Sequence, residues 1–440
     1  MQKAFAAPDW FIKSGAIYQI NPRTFSAEGT IKAVTKELPF LAELGFGTMY
    51  LCPIFKEDDS LDNWSKRQTK SNTLNPKNPY RMADYFDIDP EYGTMDDLRE
   101  FVSECHSLNM KVMLDLVYLH IGPNASIIKE HPEFVQHNAD GTVRCTEWNF
   151  PYLNYECEGL REYLYANMVY YIGVIGVDGF RCDVGDSVPH DFWAEGRRRM
   201  RTIKPDAILL NEGSKAELLG VCFDAMYSFG WHEAMYSVVS GQSDVELLRE
   251  KWSALNQKMP DGGAVMRDID NHDTVTDWPS RTEVAAGHDG MEAALTVTYL
   301  IDGAPMVYCG NELADQKRLS MFANRFFMGD FEVTDRDDKA SEASLRRQGV
   351  IKKLNTLRRE SETLARGTTE WLEAEHSDKV VCFKRALNGE EITVIANLSR
   401  ETVTVTAPNV GGTVILENKS TREGDRFILN PFGYAVLSNI

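Results

Sequence analysis

From about residue 16 to residue 360, short dense apolar runs alternate with longer stretches whose apolar residues recur every three to four positions. The short runs predict strands at Ala16–Ile20, Thr48–Cys52, Lys111–Leu116, Gly179–Asp183, Ala207–Asn211, Phe223–Tyr227, Ala264–Arg267 and Pro305–Tyr308. The longer stretches predict amphipathic helices. Ile31–Leu44 sets Ile31, Val34, Leu38, Leu41 and Leu44 on one face. Asp96–Leu108 starts with acids, which suit a helix N-terminus, and carries Leu98, Phe101, Val102 and Cys105. Leu160–Tyr171, Phe192–Ile203, Val245–Met259, Met291–Leu300 and Ala340–Leu357 continue the series. Eight short strands, each followed by a crossover, predict a closed parallel (β/α)8 TIM barrel.

Two stretches break the pattern. Ile121–Gly159 has no strong period and is rich in Gly, Pro and Asn, so it reads as a short insertion after strand 3. Beyond Thr368 the period shortens to two. Val380–Arg385, Glu391–Ala396, Thr402–Ala407, Gly412–Leu416 and Tyr434–Ser438 alternate like strands, with the turn pair Asn388-Gly389 between the first two. The expected layout is therefore a barrel from 1–120 and 160–367, an inserted segment at 121–159, and a C-terminal antiparallel β-sandwich domain at 368–440.

Charge narrows the function classes. The chain has 440 residues, with 66 acidic against 47 basic and a formal net charge of −19. Such a surface repels phosphate backbones and anionic membranes, so no nucleic acid and no membrane is expected as a partner. Neutral substrates such as sugars remain. None of the eight cysteines forms a CxxC pair or a zinc spacing, and several lie in apolar runs. That usage fits a reducing compartment. The N-terminus lacks the apolar core of a secretory leader, so a cytoplasmic protein is expected. The sequence leaves self-association into a homo-oligomer open.

In a barrel of this kind, chemistry gathers at the carboxyl ends of the strands. Asp115 and His120 end the third, Arg181 and Asp183 the fourth and Glu212 the fifth, while Asp270-Asn-His272-Asp273 follows the seventh. One such Asp is most simply a helix cap. Four strand ends aiming Asp, Glu, His and Arg at one rim weaken that reading. Clustered carboxylates suit glycoside hydrolysis, in which one attacks the anomeric carbon and another holds a proton for the leaving oxygen. Burial and like charges raise the pKa of the proton-holding carboxyl, and a neighbouring arginine keeps the attacking one ionised. Arg181 lies two residues before Asp183, so both face the same side of the strand.

These segments resemble the conserved regions of the α-amylase family of glycoside hydrolases. Gly179–Asp183, Glu212 and Asn271-His272-Asp273 occur in the family's order. Ala16–Phe25, Cys52-Pro-Ile54, Asp84-Tyr85, Phe150–Asn154 and Gly303–Glu312 extend the likeness over nearly the whole chain, and the stretch Val184–Trp193 looks locally closest to the cyclomaltodextrinase, neopullulanase and maltogenic amylase members. The resemblance implies Asp183 as nucleophile, Glu212 as acid and then base, and Asp273 as stabiliser of the oxocarbenium-like transition state. It implies Arg181 as the residue fixing Asp183, His120 and His272 as hydrogen-bond donors to the sugar, and Tyr80 as its stacking platform. Asp115 is expected to support that network. The substrate implied is a small oligosaccharide of the maltooligosaccharide type.

Three departures stand out. Leu119 occupies the position where many members carry a calcium-ligating Asn. A leucine offers no side-chain oxygen and Ca²⁺ takes about six to eight oxygens, so no metal and no cofactor is expected. Val184-Gly185-Asp186 replaces the Lys-His or Asn-Glu pair that shapes the acceptor side. No β domain is expected ahead of the barrel, although the cyclodextrin- and pullulan-degrading relatives usually have one. A transferase, isomerase or phosphorylase on the same fold would share the covalent intermediate. A non-catalytic relative would lack the carboxylates, and a barrel metalloenzyme would need Asp115, His120, Glu212 and His272 as ligands.

Overall fold

The computed structural model describes residues 7–60, 65–70, 75–322, 332–406 and 411–439. Eight parallel strands close a barrel: β1 (Ile17–Ile20), β2 (Thr48–Leu51), β3 (Lys111–Leu116), β4 (Gly179–Cys182), β5 (Ile208–Asn211), β6 (Ala225–Tyr227), β7 (Ala264–Arg267) and β8 (Ala304–Tyr308), with β1 paired to both β2 and β8. Every predicted barrel strand falls within two residues of its place. Almost all their residues are buried because the interior covers one face and the helices the other.

The period of two sorts those residues. Ile17, Tyr50, Met113, Ile208, Leu210, Ala264 and Met306 fill the barrel interior, while Met49, Leu51, Leu114 and Leu209 pack outward under the helices. Continuing the inward series by one step gives Asp115 after Met113, Asp183 after Arg181 and Glu212 after Leu210. The same alternation that builds the core thus raises polar groups at its upper end. Helices form where capping supports the apolar stripe. Thr30 accepts from Ala33 N at 3.2 Å to start Ile31–Glu43, and Thr94 with Asp97 makes a capping box for Met95–Ser107. Thr282–Leu300 is buried on nearly all sides beyond a break at Gly287, as its low polarity requires.

Two excursions leave the barrel on its carboxyl side. The one after β3 holds the predicted insertion, which ends where helix Glu158–Tyr170 begins. The other was not expected. Between β2 and helix Met95–Ser107 the chain forms an antiparallel pair, Phe55–Glu57 with Met82–Ile88, and a short helix Lys66–Lys70. Its polar sequence carries no usable period. Buried ion pairs hold it instead: Arg23 Nη2 lies 2.9 Å from Glu57 and its Nε 3.0 Å from Glu91.

The C-terminal strands are β9 (Thr368–Trp371), β10 (Val380–Leu387), β11 (Glu390–Asn397), β12 (Val403–Thr406), β13 (Thr413–Glu423) and β14 (Arg426–Ser438). They form one antiparallel sheet. One edge of β14 takes β12 along its first half and β11 along its second, and its other edge takes β13. Val380, Ile395, Val405, Phe427 and Leu437 form an apolar core of their own. The sequence missed β9, the later part of β13 and the first part of β14, where alternation is weak. Position 407, the predicted end of β12, lies outside the described residues.

This sheet packs on the barrel through an apolar face that includes Val381, Phe383, Val394 and Val436, and buried arginines add polar ties at one helix end. Arg385 on β10 donates to Leu300 O at 3.3 Å and to Gly367 O at 2.8 Å. Arg358 on helix Glu342–Glu360 donates to Tyr299 O and Gly303 O, both at 2.8 Å. Two buried arginines thereby satisfy carbonyls at the C-terminus of Thr282–Leu300.

Candidate active site

Arg181 organises the site. It stands beside Asp115 in the β3–β4 register and is wholly buried. Its Nη1 lies 2.7 Å from Asp115 Oδ1 and 2.8 Å from Asp183 Oδ1, and its Nη2 lies 2.6 Å from Glu212 Oε1. Asp115 is held on its other oxygen by Tyr50 Oη at 2.7 Å and Tyr80 Oη at 3.1 Å. One guanidinium therefore faces three carboxylates, and burial without it would be very costly.

The chain turns sharply after Asp183. Val184 has φ of +44°, a left-handed conformation that a β-branched residue rarely adopts. The turn carries Val184 N to 2.8 Å from Glu212 Oε2. Such local strain, on the order of 1–3 kcal/mol, is typical of functional sites. Gly185 follows because a side chain there would strike Asn211, its Cβ falling 2.3 Å from Oδ1. Asp186 then ties the β4 and β5 loops together by accepting from Asn211 Nδ2 and Ser214 N, each at 2.8 Å.

Asp183, Glu212, Asp273, Tyr80 and His120 line one cleft of about 330 Å³. Arg181 and His272 lie beneath its floor. His272 takes Gln19 Nε2 on Nδ1 at 2.9 Å and meets Tyr80 Oη on Nε2 at 2.6 Å, and the two rings stack 5.5 Å apart. Its Nε2 is also 3.3 Å from Asp273 Oδ2. His120 gives Nε2 to Tyr80 O at 2.8 Å, beside Phe150 and Trp148 from the insertion. The structure thus brings all seven sequence-predicted residues into one neighbourhood. Sequence reading missed Arg67, whose Nη2 lies 2.7 Å from Asp273 Oδ1, and also Trp148 and Phe322 in the cleft wall. Only the fold brings those segments to the rim.

The electrostatics follow from burial and pairing. Burial pushes Asp183 well up and Glu212 up; Arg181 opposes, while the other carboxylates add to the rise. Such a pair holds one proton between two carboxyls and titrates as a unit. For Asp273 burial acts upward, but His272, Arg67 and Arg181 outweigh it and hold the carboxyl well below its usual range. Burial lowers His120 to about 4, so its imidazole is neutral near pH 7, and burial lowers His272 against the opposing pull of Asp273. One proton held between two carboxyls, beside a third carboxyl kept as an anion, is a charge pattern that a retaining glycosidase can use.

Residues 8–140 and 139–401 match the α-amylase catalytic domain. The chain belongs to the α-amylase family. This α-amylase family member is therefore a glycoside hydrolase acting on α-glucosidic bonds with retention of configuration. It is 27% identical over 446 residues to a cyclomaltodextrinase from a Bacillus species, covering 89% of this chain and 74% of that protein. It is 25% identical to the intracellular maltogenic amylase of Bacillus subtilis, covering 87% and 68%. Its fold is that of the crystal structure of an α-amylase from Lactobacillus plantarum, with a TM-score of 0.79, 23% identity and coverage of 98% and 100%. The calcium ligand usual in many members does not fit here, since Leu119 is buried in the apolar core. Among the described residues no three His, Cys, Asp or Glu side chains converge as a metal site, so the metalloenzyme reading finds no ligand set.

Proposed function

We propose that this hydrolase acts on small maltooligosaccharides, with Asp183 as nucleophile, Glu212 as acid and base, and Asp273 as the transition-state stabiliser. The observation that carries the reading is the shared guanidinium. Asp183 and Glu212 sit on the two Nη atoms of Arg181. That spacing suits the separation of about 5–5.5 Å used for retention rather than the wider gap of about 6.5–9.5 Å that admits a water for inversion.

In the first step Asp183 Oδ attacks the anomeric carbon, while Glu212 gives its proton to the departing glycosidic oxygen. In the second, Glu212 takes a proton from water, which attacks the anomeric carbon and releases Asp183. Asp273 binds sugar hydroxyls and offsets the positive charge developing at the ring. Arg181 favours the ionised form of Asp183 against the burial that raises it, so that the one proton of the pair serves on Glu212 in the reacting state. Tyr80 carries the sugar ring. His120 gives its one N–H to Tyr80 O, and His272 meets Tyr80 Oη through Nε2, so either reaches a sugar hydroxyl as a donor only by exchanging that bond. Residues 1–120 and 160–367 carry the reaction, 121–159 form one wall of the cleft, and 368–440 brace the barrel. The enzyme works in the cytoplasm, in keeping with eight unpaired cysteines and the name of its intracellular maltogenic relative.

The test is a panel of α-1,4- and α-1,6-linked oligosaccharides, with products separated by chromatography and the first-formed anomer read by NMR. Glucose or maltose should appear, initially as the α-anomer. A β-anomer at early times would refute the roles of Asp183 and Glu212. Failure to release either sugar from maltooligosaccharides, with good cleavage of another α-glucoside, would refute the substrate. Repeating the assay with an acceptor sugar separates hydrolysis from transfer.

A further inference from the structure

Among the described residues that line the cleft, Arg67 is the one strongly placed cation that the mechanism does not use. It sits on the short helix Lys66–Lys70, in the unexpected excursion after β2. Its Nη2 meets Asp273 Oδ1 at 2.7 Å and its Nε meets Asp277 Oδ1 at 2.8 Å. The guanidinium lies over the Phe322 ring, 5.6 Å from its centroid. Asp273 and Asp277 follow β7, and Phe322 follows β8. In the closed strand order β2 and β7 are separated by β1 and β8. Arg67 therefore spans the mouth of the barrel over two strands, in a planar fork suited to gripping two carboxylates at once.

The arc that it closes lies across the mouth from β4 and β5, which carry Asp183 and Glu212. In a bound hexose the anomeric carbon must lie between those two carboxyls. C4 lies opposite C1 in a pyranose, so a ring that extends from those carboxyls across the mouth carries its 4-hydroxyl towards the arc that Arg67 closes. In a longer chain the next sugar towards the non-reducing end would hang from that oxygen.

We propose that Arg67 closes the donor end of the cleft and makes the enzyme read the non-reducing terminus of its substrate. A terminal glucosyl unit fits under the Arg67–Asp273–Asp277 bridge, and an internal unit meets the bridge in the path of its neighbour. Arg67 is then a specificity determinant, distinct from the carboxylates that break the bond. The inference rests on the assignment of Asp183 and Glu212 to the anomeric carbon. The plainer role for Arg67 is to hold Asp273 ionised. That role would affect cleavage of free and blocked chains equally.

The test compares maltoheptaose with maltoheptaose blocked at the 4- and 6-hydroxyls of its non-reducing end, using product chromatography for the wild type, R67A and D277N. The wild type should prefer the free chain by at least about a hundredfold in kcat/KM, and release glucose first. R67A should narrow that preference by at least about tenfold, and its early products should shift to internal fragments. D277N frees one arm of the bridge and should move the ratio the same way, by less. Thermal melts confirm that each variant is folded. Equal cleavage of free and blocked chains by the wild type would overturn the proposal. So would an R67A enzyme slowed on both substrates with their ratio unchanged, which is the signature of the plainer role. Wild type inactive on either chain would instead refute the substrate reading beneath it.

Discussion

Asp115 touches no substrate in the proposed reaction, yet replacing it should move the pH profile. Asp115 and Asp183 each place an oxygen on Nη1 of Arg181, at 2.7 and 2.8 Å. The two carboxylates are thus roughly 5 Å apart, and at an effective dielectric of about 20 they repel by roughly 3 kcal/mol, or about two pK units. Arg181 lies between them and cancels part of this, so about one unit should be visible. The Asp115 charge raises the pKa of both Asp183 and Glu212. D115N removes that charge while keeping an oxygen for the Tyr50 and Tyr80 hydroxyls, so both carboxyls should ionise more easily. Both limbs of kcat/KM against pH should move to lower pH by about one unit, the alkaline limb marking earlier loss of the acid's proton. A thermal melt should show a cost of about 1–3 kcal/mol, as for a weakened buried hydrogen bond. An alkaline limb that stays in place or moves upward would refute the shared-guanidinium account of the site.

Three further outcomes follow from the same geometry. E212Q should lower kcat on natural sugars by about 10²–10⁴-fold while sparing substrates with activated leaving groups, and equal loss on both would contradict the acid role. G185A should cost about a hundredfold in kcat/KM with a small change in Tm, because its Cβ lands 2.3 Å from Asn211 Oδ1, next to Glu212; unchanged turnover would show that the loop tolerates displacement. For Asp178, burial acts upward, but His106, Lys204, the Val112 amide and Lys111 outweigh it and hold the carboxyl at about 2. Its folded pKa is below the unfolded one, so its stabilising effect is full above about pH 4 and fades as pH falls towards about 2. D178N should therefore lose roughly 2–3 kcal/mol at neutral pH, about 3 °C in Tm, with the gap to wild type closing on acidification; a gap independent of pH would refute the assignment.

The barrel was legible because each of its strands is short, apolar and buried on both faces, which leaves a strong mark between helical periods. The three carboxylates were legible for a related reason. Asp183 and Glu212 continue the inward series of β4 and β5, and Asp273 lies in the loop after β7, so locating the strand also locates its end. Arg67 was not legible. It lies in a polar segment whose course is fixed by Arg23, Glu57 and Glu91, residues far apart in sequence whose pairing only the fold reveals. His272 shows a subtler gap. The sequence puts it beside Asp273, but its packing against Tyr80 and Gln19 is a matter of where β1 and the β2 excursion meet β7.

The arginines at the foot of the barrel make the C-terminal sheet more than an appendage. Arg385 completes the end of a helix that belongs to the catalytic unit, so that helix has part of its capping group supplied from a strand eighty-five residues away. A chain cut at residue 367 would keep every group of the active site and still leave Leu300 without that donor. Shortened versions made for engineering should be designed around this join, and fusions placed at residue 439 will disturb the enzyme less than any placed between the barrel and the sheet.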